Sequence, residues 1–304
     1  MKRCALGLTV LAGILAAPFC IAADFSVVAS IKPVHALVAG VMQGVVEPTL
    51  LIRGGASPHD FSLRPAEARA IYKADLVFWV GDHLEFFLTK ILHSAKARSV
   101  ALAQVPDVEL LGLREGGLWD DHDPQHKHQQ HESDYDPHIW LDPHNAIAMV
   151  RAIRSALAEL DPAHQGLYQT NAAVLITRLQ VLDAALAERL APIKDKPYIV
   201  FHDGYQYFER RYGLAAVGSV TLDPEKKTGA RRIAEIRRRV NENHIVCVFS
   251  EPQFEPALVR VLIENTSVRT GVLDPVGGTL PAGPDAYFQL LNNLADNLQA
   301  CLAG

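Results

Sequence analysis

Thirteen histidines punctuate this chain, and they stand in two kinds of surroundings. His122, His126, His128 and His131 crowd into the run 119–135 among Asp120, Asp121, Asp123, Glu132 and Asp134. Imidazoles and carboxylates alternating in a polar run of low complexity attract metal ions. Such a run has too little apolar surface to pack, so it holds ions loosely and serves as a collecting loop. Three other histidines stand singly in segments of fixed character. His59 lies in G-G-A-S-P-H-D-F, His138 in D-P-H-I-W-L-D-P and His202 in F-H-D-G-Y. Asp274, in L-D-P-V-G, offers a carboxylate. Three imidazoles and one carboxylate suit zinc, which takes nitrogen at about 2.0–2.1 Å and oxygen at about 2.0–2.2 Å in a tetrahedron. Magnesium, calcium and manganese take more oxygen.

The same set admits a second chemistry. Three imidazoles around an open fourth position would serve a secreted zinc hydrolase, with Asp60, Asp203 or Glu251 as base. Against that reading, Asp274 can fill the fourth position. The chain also carries neither H-E-x-x-H nor a serine-nucleophile elbow. Asp60, Asp203 and Glu251 then become outer support for ligating rings, since a metal-bound histidine donates its other N–H to an acceptor. Asp203 and Asp142 have a plainer role as helix caps, which is preferred for both. His35, His83, His93, His144, His164 and His244 read as surface or hydrogen-bonded residues.

The elements that must position these groups alternate strand and helix. Strands are expected at 25–30, 48–53, 76–80 and 99–103, with helices at 33–42, 65–74 and 84–95 between them. Pro65 suits a first helical position and Glu67 a first turn. After the acidic insert, Asp142-Pro143 opens a helix to about Leu160. From Pro162 to Arg189 no Gly but Gly166 and no Pro interrupts a pattern of Leu167, Val174, Leu175, Leu179, Leu182, Leu186 and Leu190, which reads as one long helix. Strands resume at 198–201, 215–220, 245–250 and 268–273, with helices at 204–212, 231–241, 256–265 and 286–302. This alternation implies α/β architecture with two parallel-sheet lobes, joined by one long rigid helix. His59, His202 and Asp274 then follow strands, where open parallel sheets bind ligands, so the metal site falls in the cleft between lobes. The units are 1–23, 24–160 (with its loop 119–135), the linking helix 161–190, and 191–304.

Composition agrees with that picture. The 304 residues are 49% hydrophobic, enough for real cores, and the net charge of -5 argues against nucleic-acid binding. Residues 1–23 read as a cleaved export signal: Lys2 and Arg3, an apolar middle from Ala5 to Ile21, then Ile21-Ala22-Ala23. No later apolar run reaches the length of a membrane span. Cys4 and Cys20 leave with the signal, and Cys247 and Cys301 remain. An even count in an oxidising compartment suggests a disulfide, worth on the order of 4 kcal/mol for a loop of this size. A buried free thiol at Cys247 is the alternative.

Taken together the motifs resemble a known family: the ZnuA-type periplasmic zinc-binding proteins of ABC importers, in the metal-binding cluster of solute-binding proteins. The resemblance rests on G-A-S-P-H-D-F-S-L-R-P at 55–65, the acidic His-rich insert, D-P-H-I-W-L-D-P at 136–143, F-H-D-G-Y-Q-Y-F at 201–208, S-E-P-Q-F at 250–254 and L-D-P-V-G at 273–277. It covers essentially the whole mature chain. It implies metal ligands at His59, His138, His202 and Asp274, a disulfide between Cys247 and Cys301, and Zn2+ as a transported ligand. It implies an ABC permease and its ATPase as partners, a monomer, and no enzymatic activity. Manganese-binding relatives carry Glu where His202 stands. Pro58 departs from zinc-binding relatives that have Glu there, which leaves the fourth position to Asp274, a water, or a mixture. Alternatives are a manganese or iron carrier of the same fold, and a zinc buffer or adhesin with no transporter.

Overall fold

The computed structural model describes residues 25–114, 134–222, 229–242, 244–254 and 257–303. The expected signal 1–23 and the insert histidines His122, His126, His128 and His131 lie outside the described residues. Among the described residues, no helix is long and apolar enough to cross a membrane.

Two parallel four-stranded sheets carry the fold. The first has β1 (Val27–Ala29), β2 (Thr49–Leu50), β3 (Leu76–Trp79) and β4 (Arg98–Ala101) in the order β2-β1-β3-β4. The second has β5 (Tyr198–His202), β6 (Ala216–Thr221), β7 (Cys247–Ser250) and β8 (Arg269–Val272) in the order β6-β5-β7-β8. Helices α1 (Lys32–Met42), α2 (Pro65–Lys73) and α3 (Phe86–Ser94) cross over in the first lobe; α6 (Gln206–Tyr212), α7 (Ala230–Glu242) and α8 (Ala257–Ile263) do so in the second. Between the lobes run α4 (Pro143–Leu160) and α5 (Gln165–Leu190), and α9 (Ala286–Leu302) closes the chain. Most expected elements appear within a few residues of their predicted bounds. The expected strand 48–53 keeps only Thr49 and Leu50 in regular pairing; the amides of Leu51 and Ile52 still donate to Ala29 and Ser30 before the chain turns away at Gly54.

Strands covered on both faces show period two in what they pack against. Val27 and Ala29 of β1, Leu76 and Phe78 of β3, Tyr198 and Val200 of β5, and Phe249 of β7 enter one continuous core. Val28, Val77 and Trp79 enter a separate outer cluster on the first lobe, and Ile199, Phe201 and Val248 another on the second. The central core therefore spans both lobes. Helix α5 buries Tyr168, Ala172, Leu175, Leu179, Leu182, Leu186 and Leu190, a stripe at spacings of four and three. At 1.5 Å per residue its 26 residues reach about 39 Å. It packs on α1, α4 and α9, so it lies across both lobes instead of standing free between them.

Helix α1 is buried along its whole length, Lys32 included. Cys247 and Cys301 form a disulfide that ties β7 to α9 across 54 residues of sequence.

Candidate metal centre

Three imidazoles meet where the lobes face each other. The Nε2 atom of His138 lies 3.2 Å from Nε2 of His59 and 3.2 Å from Nε2 of His202. Among the described residues this is the group that could hold a metal ion, with ligand atoms all within 4.8 Å of one another. His138 and His202 are buried and His59 is half-buried.

Each ring is delivered by a different local device. His59 sits in the loop after β2, beyond Gly54, whose φ of 72° is costly for residues with a side chain. Its backbone N–H donates to Ser57 Oγ (3.3 Å). His138 heads a single 3-10 turn, Ile139–Leu141, just before α4. There Asp136 Oδ1 accepts from the backbone N–H of His138 (3.0 Å) and lies 2.7 Å from its Nδ1. A short Asx-type turn thus fixes backbone and ring together. His202 is the last residue of β5, not the first residue after it as predicted. Its Nδ1 lies 2.6 Å from Glu251 Oε1, and Glu251 directly follows β7, the strand beside β5. In both braced rings Nδ1–H faces a carboxylate, which leaves Nε2 bare toward the common centre.

The space between the rings is kept open by Gly204. A Cβ there would fall on Nε2 of His202 and 3.0 Å from Nε2 of His138. The position an ion would take is therefore free only because residue 204 has no side chain.

Electrostatics separate the rings further. Burial, and then the neighbouring rings of His138 and His202, hold His59 well below the ordinary histidine value, so it stays neutral. Burial acts most strongly and would lower His202, but the carboxylates of Glu251, Asp203 and Asp136 together outweigh it and the net shift is upward. His59 is ready to ligate, whereas a proton competes for His202 at higher pH than for an ordinary histidine.

Asp274 stays apart from the three rings. Its Oδ1 accepts from Gln253 Nε2 (2.8 Å) and from the amides of Val276 (3.1 Å) and Gly277 (3.0 Å), and its Oδ2 from the amide of Gly278 (2.7 Å). The turn it organises supplies Pro275 and Val276 to the wall of the small cavity that holds His59, His138 and His202.

Of the outer carboxylates considered from sequence, Glu251 braces His202. Asp203 does not cap α6, whose first-turn flank is Tyr205 with no capping side chain. Instead Asp203 pairs with Arg114, whose Nη1 also donates to Glu209 Oε2 (2.8 Å). The cause is burial: two carboxylates held this close in the interior need a cation. Asp142 caps α4 as expected, accepting from the His144 amide (2.8 Å). Asp136 is a brace that sequence reasoning misses. Its signal is present in D-P-H, since a carboxylate two residues ahead reaches both the amide and Nδ1 of a histidine. Arg114 gives no such signal, because its partners are distant in the chain, and Gly204 gives only half of one: His202 stands two residues before it, but His138 meets it only across the folded cleft.

Known proteins share this arrangement of sheets and spanning helix. The family model described as "Zinc-uptake complex component A periplasmic" matches residues 27–301. The high-affinity zinc uptake system protein ZnuA of Brucella suis is 42% identical over 305 aligned residues, covering 91% of each chain. Its counterpart in Yersinia pestis is 37% identical, covering 95% of this chain and 94% of the relative. Among solved structures, the periplasmic zinc-binding protein TroA of Treponema pallidum superposes with a TM-score of 0.78 at 21% identity, covering 91% of this chain and 99% of that one. At that identity the likeness speaks for the fold of two sheets and a spanning helix.

Proposed function

This chain belongs to the family of periplasmic zinc-uptake complex components, and from that membership we propose that it captures Zn2+ and hands it to a membrane ABC permease driven by an ATPase. The observation that carries the reading is the convergence of His59, His138 and His202, two of them braced by carboxylates, around a gap that Gly204 keeps clear. Bare imidazole nitrogens in a small, largely buried site favour zinc over manganese or magnesium, which prefer oxygen.

The proposed ligands are the Nε2 atoms of His59, His138 and His202, with a carboxylate oxygen of Asp274 in the fourth position. Reaching the ion requires Asp274 to rotate away from the amides of residues 276–278. A filled tetrahedron leaves no position for an activated water, so the protein carries its cargo and does no chemistry on it. The working units are 24–160, 161–190 and 191–304, acting as a monomer after removal of residues 1–23 in the periplasm. His122, His126, His128 and His131 act as a loose collecting loop beside the tight site.

Calorimetry on chelator-stripped protein tests this reading. One tight zinc site is expected to survive deletion of residues 119–135, while weaker sites vanish with it. Loss of the tight site on that deletion would move the ligands out of the cleft and end the four-ligand assignment.

A further inference from the structure

A buried lysine is an unusual thing to find at the first turn of a helix. Lys32 opens α1, where the helix dipole repels a cation, and it is only 6% exposed. Burial lowers its pKa and the nearby Asp274 carboxylate opposes that. An ammonium group has three N–H donors. All three of Lys32 are used, and all on the other lobe. Its Nζ donates to the carbonyls of Gly277 (2.6 Å), Gly278 (2.7 Å) and Leu280 (2.7 Å).

Those carbonyls belong to the turn that Asp274 begins. The turn has two polar faces. Its amides, at Val276, Gly277 and Gly278, are held by the Asp274 carboxylate. Its carbonyls are held by the first lobe: Pro275 by the indole N–H of the buried Trp140 (2.7 Å), the others by Lys32. Trp140 stands two residues after His138. The same turn also meets the loop that carries His59, since a Cβ on Gly278 would come 2.8 Å from the Cα of Gly55.

From this juxtaposition we propose that Lys32 is a positioning residue for the metal centre, bolting the Asp274 turn of the second lobe onto the first so that both ligand-bearing loops stay closed over the ion. The bolt grips carbonyls and leaves the carboxylate alone. Asp274 can therefore release its turn amides and swing toward the cation while the turn itself stays in place. Ion release requires the turn and the His59 loop to part, and Lys32 is the group that resists it. The proposal rests on the reading of His59, His138, His202 and Asp274 as the zinc site.

The test is the rate of zinc release, followed by stopped flow after mixing the zinc-loaded full chain with excess chelator. Lys32→Met keeps the apolar stem and removes all three donors. Gly278→Ala removes no polar group and forces the turn away from the Gly55 backbone of the His59 loop, the contact that the Lys32 bolt is proposed to keep closed. Both are expected to speed release by about tenfold or more, with far-UV circular dichroism unchanged. Lys90→Met, on the exposed surface of α3, is expected to leave the rate as it was. Release from folded Lys32→Met at the parent rate overturns the proposal. Should Lys32→Met fail to fold, Lys32→Gln, whose shorter uncharged side chain gives up part of the grip without placing an apolar end against three carbonyls, decides on the same criterion. A parent protein that takes up no zinc at all would instead overturn the reading of the site, which keeps the two failures apart.

Discussion

Each lobe brings one candidate ligand from the end of a regular element and one from a glycine-bearing loop. In the first lobe these are His138, at the head of the 3-10 turn before α4, and His59, beyond Gly54 and Gly55. In the second they are His202, at the end of β5, and Asp274, ahead of Gly277 and Gly278. The two element-borne rings are treated alike: each is buried and has its Nδ1 on a carboxylate, Asp136 or Glu251. The two loop-borne groups are treated oppositely. Among the described residues His59 has no such brace, yet its ring already faces the others, 3.2 Å from Nε2 of His138. Asp274 is held by four donors and faces its own turn. On the proposed ligand set the contrast divides the labour: the element-borne pair would set where the ion sits, and the loop-borne pair how it enters and how long it stays.

The strongest way to break that division is to fill the place between the element-borne rings. Gly204→Ala puts a methyl group against Nε2 of His202 and close to that of His138. Losing even one ligand's share of the roughly 10–16 kcal/mol typical of four-ligand zinc sites is worth about 100-fold or more in affinity. Competition against a chromophoric chelator should show a loss of at least that size, with the fold intact. An affinity within about tenfold of the parent would place the ion elsewhere.

The braces come next. Asp136→Asn and Glu251→Gln should each weaken zinc binding about 10–100-fold, the usual effect of removing a carboxylate that orients a ligating imidazole. Ser57→Ala, beside His59, should change it far less, because Ser57 touches only the backbone there. Equal losses in all three variants would erase the difference between braced and unbraced rings.

Proton competition offers a gentler probe. His202 stands above the ordinary histidine value, so protons compete with zinc there from a higher pH than at an ordinary histidine. Affinity should therefore fall as pH drops through and below that raised value, beginning above about 6.5 and losing about tenfold per unit for one displaced proton. His59, held low, adds no proton to that count in the neutral range. Glu251→Gln removes the largest cause of the upward shift and should move the fall to lower pH. Calorimetric titrations from about pH 8 to about pH 5 would read both, and a flat affinity across that range would contradict imidazole ligation.

The smallest effect is expected at the other loop. Asp274→Asn should cost about tenfold, since what the carboxylate gains at the ion is largely offset by the turn hydrogen bonds it gives up. No change at all in the competition assay would assign the fourth position to water.

Legibility in the sequence differs residue by residue. The long helix shows itself through Leu175, Leu179, Leu182, Leu186 and Leu190, because helical burial repeats every three to four residues. Both parallel sheets show through short apolar runs separated by helix-length segments. The Asp142 cap is visible because a cap and its helix are neighbours in sequence. Asp203 looks like a cap from its neighbours and is not one, for the opposite reason: its partner Arg114 lies 89 residues earlier.

Residue order alone determined the chemistry on offer here: imidazole in three fixed motifs, a carboxylate in a fourth, and strand–helix alternation to carry them. These follow from local rules, since side-chain type and periodicity are properties of neighbours along the chain. Only the folded molecule decided which groups meet. It chose Glu251 as the brace of His202, turned Asp274 into its own turn, and sent Lys32 to carbonyls some 245 residues away. Burial forces every charge and hydrogen-bonding group to find a partner in space, and nothing in the linear order records which partner that will be.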